Sequence, residues 1–208
     1  VPGVLFTDGT HGDLAVGSDG VEERRRAIVD APWTWLRQVH GARVVTVTEP
    51  GEHAGVEADA AVTAVPGAVL AVQVADCAPV ALVSDEAVGV AHAGWRGLAA
   101  GVLPATVEAM RALGATHVRA TLGPCIRPEC YEFGAADLDA VAAELGDHVR
   151  GTTSWGTPAL DVPAAVRASL ASVGVELVDA STCTACSPDH WSHRAAGDVE
   201  RQAVVVWR

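Results

Sequence analysis

Residues 75–97, ADCAPVALVSDEAVGVAHAGWRG, constrain the fold more than any other stretch of this chain. Two apolar runs, 79–83 and 87–91, flank Ser84-Asp85-Glu86. Short apolar runs on either side of turn residues read as a β-hairpin. Closing the turn with Val83 near Ala87 puts Ala78 opposite His92, with Cys77 one residue further along its own strand. A thiol and an imidazole then share one end of two neighbouring strands. A soft sulfur and a borderline nitrogen delivered together suit zinc or copper. The same two residues also serve a cysteine nucleophile with a histidine base, or a buried thiol beside a hydrogen-bonded histidine.

The basic residues narrow the chemistry further. All 14 are arginine, and neither lysine nor asparagine occurs. This excludes a Schiff-base lysine, a pyridoxal-phosphate anchor and a P-loop lysine. An anion must be held by arginine, backbone N–H groups or a metal. The net charge is −12, and the only basic run, Arg24-Arg25-Arg26, sits beside Glu22 and Glu23. Nucleic acid is therefore not an expected partner; a small molecule is. No apolar run approaches the ~20 residues that a membrane helix needs. No basic-then-apolar leader opens the sequence, so a cytoplasmic protein is expected. The five cysteines are an odd number, which argues against a disulfide framework and for free thiols or metal ligands.

Along the chain, strands are expected at 4–7, 43–49, 58–65, 69–74, 117–122, 175–179 and 202–207. Helices are expected at 21–30, capped by Ser18 or Asp19, and at 97–113, with Pro104 marking a kink or a late start. Two more are expected at 135–149 and from the Asp161 cap to 173. Residues 152–157 read as a polar loop. Strands and helices mix without strict βαβ alternation, and no linker composition interrupts them. A single α+β domain with a mixed sheet over residues 1–208 follows.

Three constellations carry chemistry. His40 lies at the mouth of a strand, beside Gly41. With Cys77 and His92 it would make a three-ligand zinc site whose fourth position is open to water or substrate. Asp76 is placed to orient a metal-bound histidine or to act as a base. Arg96 opens a helix and is a candidate clamp for phosphate or carboxylate. Cys125, Cys130, Cys183 and Cys186 form a second, looser candidate for a structural zinc or iron–sulfur site.

QVHG at 38–41, ADAAVT at 58–63, ADCAPV at 75–80, HAGWRG at 92–97, GPCI at 123–126, CTAC at 183–186 and SHR at 192–194 occur in that order. With this set the chain resembles the laccase-domain family, also called multicopper polyphenol oxidases, peptidoglycan editing factors or purine nucleoside phosphorylases. The resemblance implies a mixed β-sandwich flanked by helices. It also implies a metal, zinc or copper (Cu2+), on His40, Cys77 and His92. Asp76, Cys77 and Arg96 are the residues expected to be catalytic, Arg96 as the phosphate clamp. The activity it implies is phosphorolysis of purine nucleosides to the base and ribose 1-phosphate, with adenosine deamination and methylthioadenosine phosphorolysis beside it. Other activities attached to the family are amide hydrolysis on a peptidoglycan precursor and copper-dependent phenol oxidation. A non-catalytic binding module with a structural metal is a further alternative. One Cys-His-His set lacks the several copper centres of a true multicopper oxidase. The chain departs from the family at its start, where Asp8 stands at a frequent arginine position and the following loop is short.

Overall fold

The computed structural model describes residues 2–208. It opens with β1 (Gly3–Phe6), α1 (Val21–Ile28), β2 (Trp33–Trp35), β3 (Val44–Val47), β4 (Ala60–Thr63) and β5 (Val69–Val74). The predicted hairpin follows as β6 (Ala78–Val83) and β7 (Val88–Ala93). Then come α2 (Trp95–Ala99), α3 (Val102–Ala112), β8 (Arg119–Leu122), α4 (Ala135–Leu145), β9 (Arg150–Thr152) and β10 (Pro158–Leu160). The chain closes with α5 (Val162–Ala171), β11 (Leu177–Asp179), α6 (His193–Ala196) and β12 (Gln202–Trp207).

Two mixed sheets stack face to face. One runs β1-β12-β5-β2 and the other β11-β8-β6-β7-β4-β3, with β9 and β10 forming a separate hairpin. Strand alternation sorts the side chains into layers. Leu70 and Val72 of β5, Val204 and Val206 of β12, Ala81 of β6, and Val88 and Val90 of β7 fill the space between the sheets. The intervening residues face outward. Val69, Ala71, Ala203 and Val205 pack with Val21 under α1. Ala78, Val80, Leu82, Ala91 and Ala93 pack with Leu98, Leu103, Val107 and Val166 under α2, α3 and α5. The result is an α+β sandwich with helices on both outer faces. No described helix is long and apolar enough to cross a membrane.

The hairpin register differs from the expected one by a single residue. Pro79, not Ala78, lies opposite His92, and Ala78 lies opposite Ala93. The cause is the turn. The Ser84 amide donates to the Ala87 carbonyl, and the Ser84 hydroxyl accepts from the Ala87 amide. Four residues therefore lie between Val83 and Val88. The slip has a chemical consequence, because Cys77 now lies two residues before Pro79 and shares the inter-sheet face with His92.

Other departures are local. Residues 97–113 are two helices, because Gly101 sits at φ 82° between them; Pro104 falls in the first turn of α3, which is a late start. Neither Ser18 nor Asp19 caps α1; its N-cap is Gly20 in the left-handed conformation. Asp161 caps α5 through a hydrogen bond from the Ala164 amide, as expected. Asp8 caps a 3₁₀ turn at Gly9–His11 by accepting from the Thr10 amide and hydroxyl.

Candidate metal centre

The ends of β4, β6 and β7 and the loop before β3 meet at one mouth of the sandwich. There the ligand atoms of His40, Cys77 and His92 lie within 4.8 Å of one another. His40 Nε2 is 3.8 Å from the Cys77 sulfur, and the two imidazoles meet edge to face at 4.8 Å. His92 is buried, Cys77 half-buried and His40 exposed, so the group opens to solvent on the His40 side.

Asp59 holds this geometry, and the sequence reading did not single it out. Its carboxylate is fully buried and accepts from the amides of Val39 (3.3 Å), His40 (2.9 Å) and Gly41 (2.8 Å). It also lies 2.8 Å from His92 Nδ1. The His92 amide donates to the Asp59 carbonyl at 2.7 Å. One residue therefore fixes both histidines. It grips the backbone of His40, which sits at φ 59°, a conformation that costs a non-glycine residue ~1–3 kcal/mol. It also accepts a hydrogen bond from His92 Nδ1, which turns Nε2 toward the thiol. Its sequence signal was a lone carboxylate in the apolar stretch 58–65.

The glycines of HAGWRG have steric roles. A Cβ at Gly94 would lie 2.8 Å from His40 Cδ2 and 3.2 Å from the Cys77 sulfur. A Cβ at Gly97 would lie 2.9 Å from the Gly41 carbonyl. Gly94→Ala therefore pushes His40 away from Cys77. We expect a loss of ~1–3 kcal/mol in stability from overpacking, with a larger proportional loss of zinc affinity, read by thermal melting and chelator competition.

Asp76 stands elsewhere than the orienting position expected for it. Its carboxylate accepts from the Thr184 hydroxyl, the Ser192 hydroxyl and the Arg194 amide, each at 2.7 Å. The bond to a site histidine belongs to Asp59. Arg96 is exposed and stacks on Trp95, with its guanidinium carbon 4.3 Å from the ring centre. It does not line the cleft beside the cluster. The arginines that do are Arg37, Arg194 and Arg201. The cleft holds about 640 Å³ and also exposes Gln73 and Tyr131. Of the other cysteines, Cys130, Cys183 and Cys186 converge, while Cys125 stays outside that group.

Electrostatics tie Cys77 to His92. Burial pushes the Cys77 thiol up, but the His92 charge and hydrogen bonds to His40 and His92 outweigh it and bring it down to about 6. Burial pulls His92 down, yet the Cys77 thiolate and Asp59 raise it to about 9. Without a metal, each charge favours the other, and the pair is biased toward thiolate and imidazolium. The donor set fits zinc: one thiolate, two imidazoles and a carboxylate behind one of them. Between pH 6 and 9 a metal must displace the His92 proton. Affinity should rise about tenfold per pH unit across this window and level off above it. Calorimetry in buffers of different ionisation enthalpy should find one proton released per zinc at neutral pH.

Residues 17–208 match the family model described as multi-copper polyphenol oxidoreductase laccase. The chain belongs to this family. It is 44% identical to "Purine nucleoside phosphorylase ORF3" of Streptomyces griseus, covering 99% of this chain and 87% of that protein. It is 43% identical to "Purine nucleoside phosphorylase SCO2081" of Streptomyces coelicolor, covering 94% and 80%. Among solved structures, YlmD from Geobacillus stearothermophilus superimposes with a TM-score of 0.82 at 28% identity, covering 100% of this chain and 91% of that one. The hypothetical protein YfiH of Bacillus licheniformis shares the fold with a TM-score of 0.88 at 24% identity, covering 99% and 92%.

Proposed function

We propose that this chain, read as one laccase-domain-like unit, is a zinc-dependent purine nucleoside phosphorylase. It would act on adenosine, inosine or guanosine, with methylthioadenosine phosphorolysis and adenosine deamination as further activities. The observation that carries this reading is a Cys-His-His cluster opening into an arginine-lined cleft of about 640 Å³. That volume lies within the ~300–1,000 Å³ typical of small-ligand sites. The names of the relatives support the substrate class.

In phosphorolysis a phosphate oxygen bonds to the anomeric carbon. The bond from that carbon to the purine nitrogen breaks, and its electron pair leaves with the base. The dianion needs cationic partners in the cleft. Arg194 and Arg201 fit this need better than Arg96, because both line it. The Arg194 guanidinium is held by the Glu132 carbonyl at 3.0 Å and lies over the Tyr131 ring. Burial pushes the Tyr131 phenol up to about 12, so its hydroxyl stays protonated and can donate to an oxygen of the substrate. His40, Cys77 and His92 would hold the zinc, with Asp59 fixing the His92 tautomer. When bound, zinc supplies a Lewis acid and an activated water, the latter being what deamination requires.

Incubation of zinc-loaded protein with adenosine and phosphate should release adenine and ribose 1-phosphate. His92→Ala should lose zinc and more than ~100-fold in kcat/KM, beyond what loss of a supporting partner alone costs. Full phosphorolysis by metal-free His92→Ala would refute the assignment. Turnover of a serine-bearing peptidoglycan precursor, or oxygen uptake with phenols by the copper-loaded protein, without nucleoside cleavage, would replace it.

A further inference from the structure

A second cluster lies behind the cleft wall. The sulfurs of Cys130, Cys183 and Cys186 all fall within 4.8 Å of one another, and those of Cys130 and Cys186 are 3.1 Å apart. They come from two segments more than fifty residues apart in sequence. Cys130 ends the 3₁₀ turn Pro128–Cys130. Cys183 and Cys186 flank a tight turn in which the amides of Cys186 and Ser187 both donate to the Cys183 carbonyl. The two segments are already joined before any sulfur is considered. The Cys125 amide donates to the Thr182 carbonyl and the Thr184 amide to the Cys125 carbonyl. The Arg127 guanidinium donates to the Ser181 hydroxyl at 2.8 Å. The sulfurs are thus preorganised by backbone pairing.

We propose that Cys130, Cys183 and Cys186 bind a second zinc ion, separate from the His40–Cys77–His92 centre. Zinc–sulfur bonds of ~2.3 Å set tetrahedral sulfur–sulfur edges of ~3.8 Å. The observed spacings, 3.1 Å at the closest and at most 4.8 Å, bracket that edge. Soft thiolates select zinc over harder divalent ions. The third sulfur is what points to a metal, since a disulfide would use two and strand the other. Cys183 is buried, Cys130 half-buried and Cys186 exposed, so an ion can enter from the Cys186 side, where the fourth position meets solvent.

The site would brace the cleft. Tyr131 follows Cys130 directly, and the segment after Cys186 leads to Ser192 and Arg194, which hold Asp76. A zinc bridging the two segments would fix the wall that carries Tyr131 and Arg194. This inference does not depend on the phosphorylase reading, because metal counting tests it without a substrate.

The test uses the full chain with His40→Ala and Cys77→Ala, which empties the first centre. After zinc loading under reductant and desalting, mass spectrometry of the metal content should find one zinc per chain. Adding Cys186→Ser, a change at an exposed position, should release it, as should Cys183→Ser. Cobalt loading of the double variant should give sulfur-to-cobalt charge-transfer absorption that Cys186→Ser removes. Loss of all zinc from the double variant, with its melting profile intact, would overturn the proposal. So would retention of zinc after Cys183→Ser and Cys186→Ser together, or a Cys130–Cys186 disulfide in protein purified under reductant.

Discussion

Replacing Asp59 with alanine should destabilise the protein by about 3–5 kcal/mol, the range for removing one partner of a buried charged pair. At ~2–4 °C per kcal/mol for a chain of this size, the melting temperature should fall by on the order of 10 °C. Four donors lose their acceptor at once: the amides of Val39, His40 and Gly41, and His92 Nδ1. The His40 loop then has nothing to offset its left-handed backbone. Asp59→Asn separates folding from metal binding. Its single oxygen can still accept from the Val39 and Gly41 amides, but its NH₂ group must then face both the His40 amide and His92 Nδ1, which share the other carboxylate oxygen in the unsubstituted protein. The imidazole responds by carrying its proton on Nε2, the nitrogen aimed at the thiol. Zinc affinity should therefore fall ~10–100-fold, the range for an outer partner, while stability falls less than in Asp59→Ala. Equal zinc affinity in Asp59→Asn and the unsubstituted protein would show that the carboxylate only holds the loop. A pH signature accompanies this. Burial alone would raise the Asp59 carboxyl, but His92 and the loop amides pull it below its ordinary value. Its stabilisation is present above the unfolded carboxylate range and is lost as pH falls through the lowered value. Asp59→Asn should flatten the acid limb of the stability curve.

Asp59 also marks the limit of what the sequence makes legible. β5 and β12 were readable to the residue because their apolar runs end abruptly in turn or charged residues. The hairpin was readable as a hairpin, but its register was set by Ser84 side-chain bonding, which composition does not reveal. Helix spacing ran on through Gly101, hiding the break between α2 and α3. The hairpin of β9 and β10 was hidden because its three-residue strands flank a polar turn. At the site, the cluster residues could be read, since His40 precedes Gly41, Cys77 follows Asp76 and His92 lies two residues before Gly94, each near an end of an apolar strand. Their supporting partners could not. Asp59 and Asp76 look alike in sequence, each a carboxylate next to an apolar strand. Only the sheet order, which sets β4 beside β7, gives the bond with His92 to Asp59.

Asp76→Ala should be equally severe, for a different reason. The Asp76 carboxylate gathers three donors from the segment 184–194, more than a hundred residues away in sequence. The side chains of Thr184 and Ser192 are buried, so their hydroxyls would lose their acceptor where water does not easily replace it. At ~1–3 kcal/mol for each stranded buried donor, a loss of about 3–5 kcal/mol is expected. Backbone strain adds to it, because Asp76 sits at φ 90° and alanine tolerates that conformation less well than glycine. Asp76→Gly should therefore be somewhat less damaging than Asp76→Ala. Asp76→Asn should be the mildest, because asparagine accepts left-handed backbone and keeps one acceptor oxygen. This ordering separates a positioning role from that of a catalytic base. A base would make Asn as inactive as Ala and erase the limb of the pH–rate profile that the carboxylate controls. A positioning carboxylate leaves the profile's shape in place and lets Asn recover much of kcat/KM, because what it fixes is the wall carrying Arg194 and the backbone just before Cys77. Metal binding at the His40–Cys77–His92 cluster should survive in Asp76→Asn, as neither histidine contacts the lost charge. Complete inactivity of Asp76→Asn at normal zinc content and near-normal melting temperature would restore Asp76 to the chemistry itself.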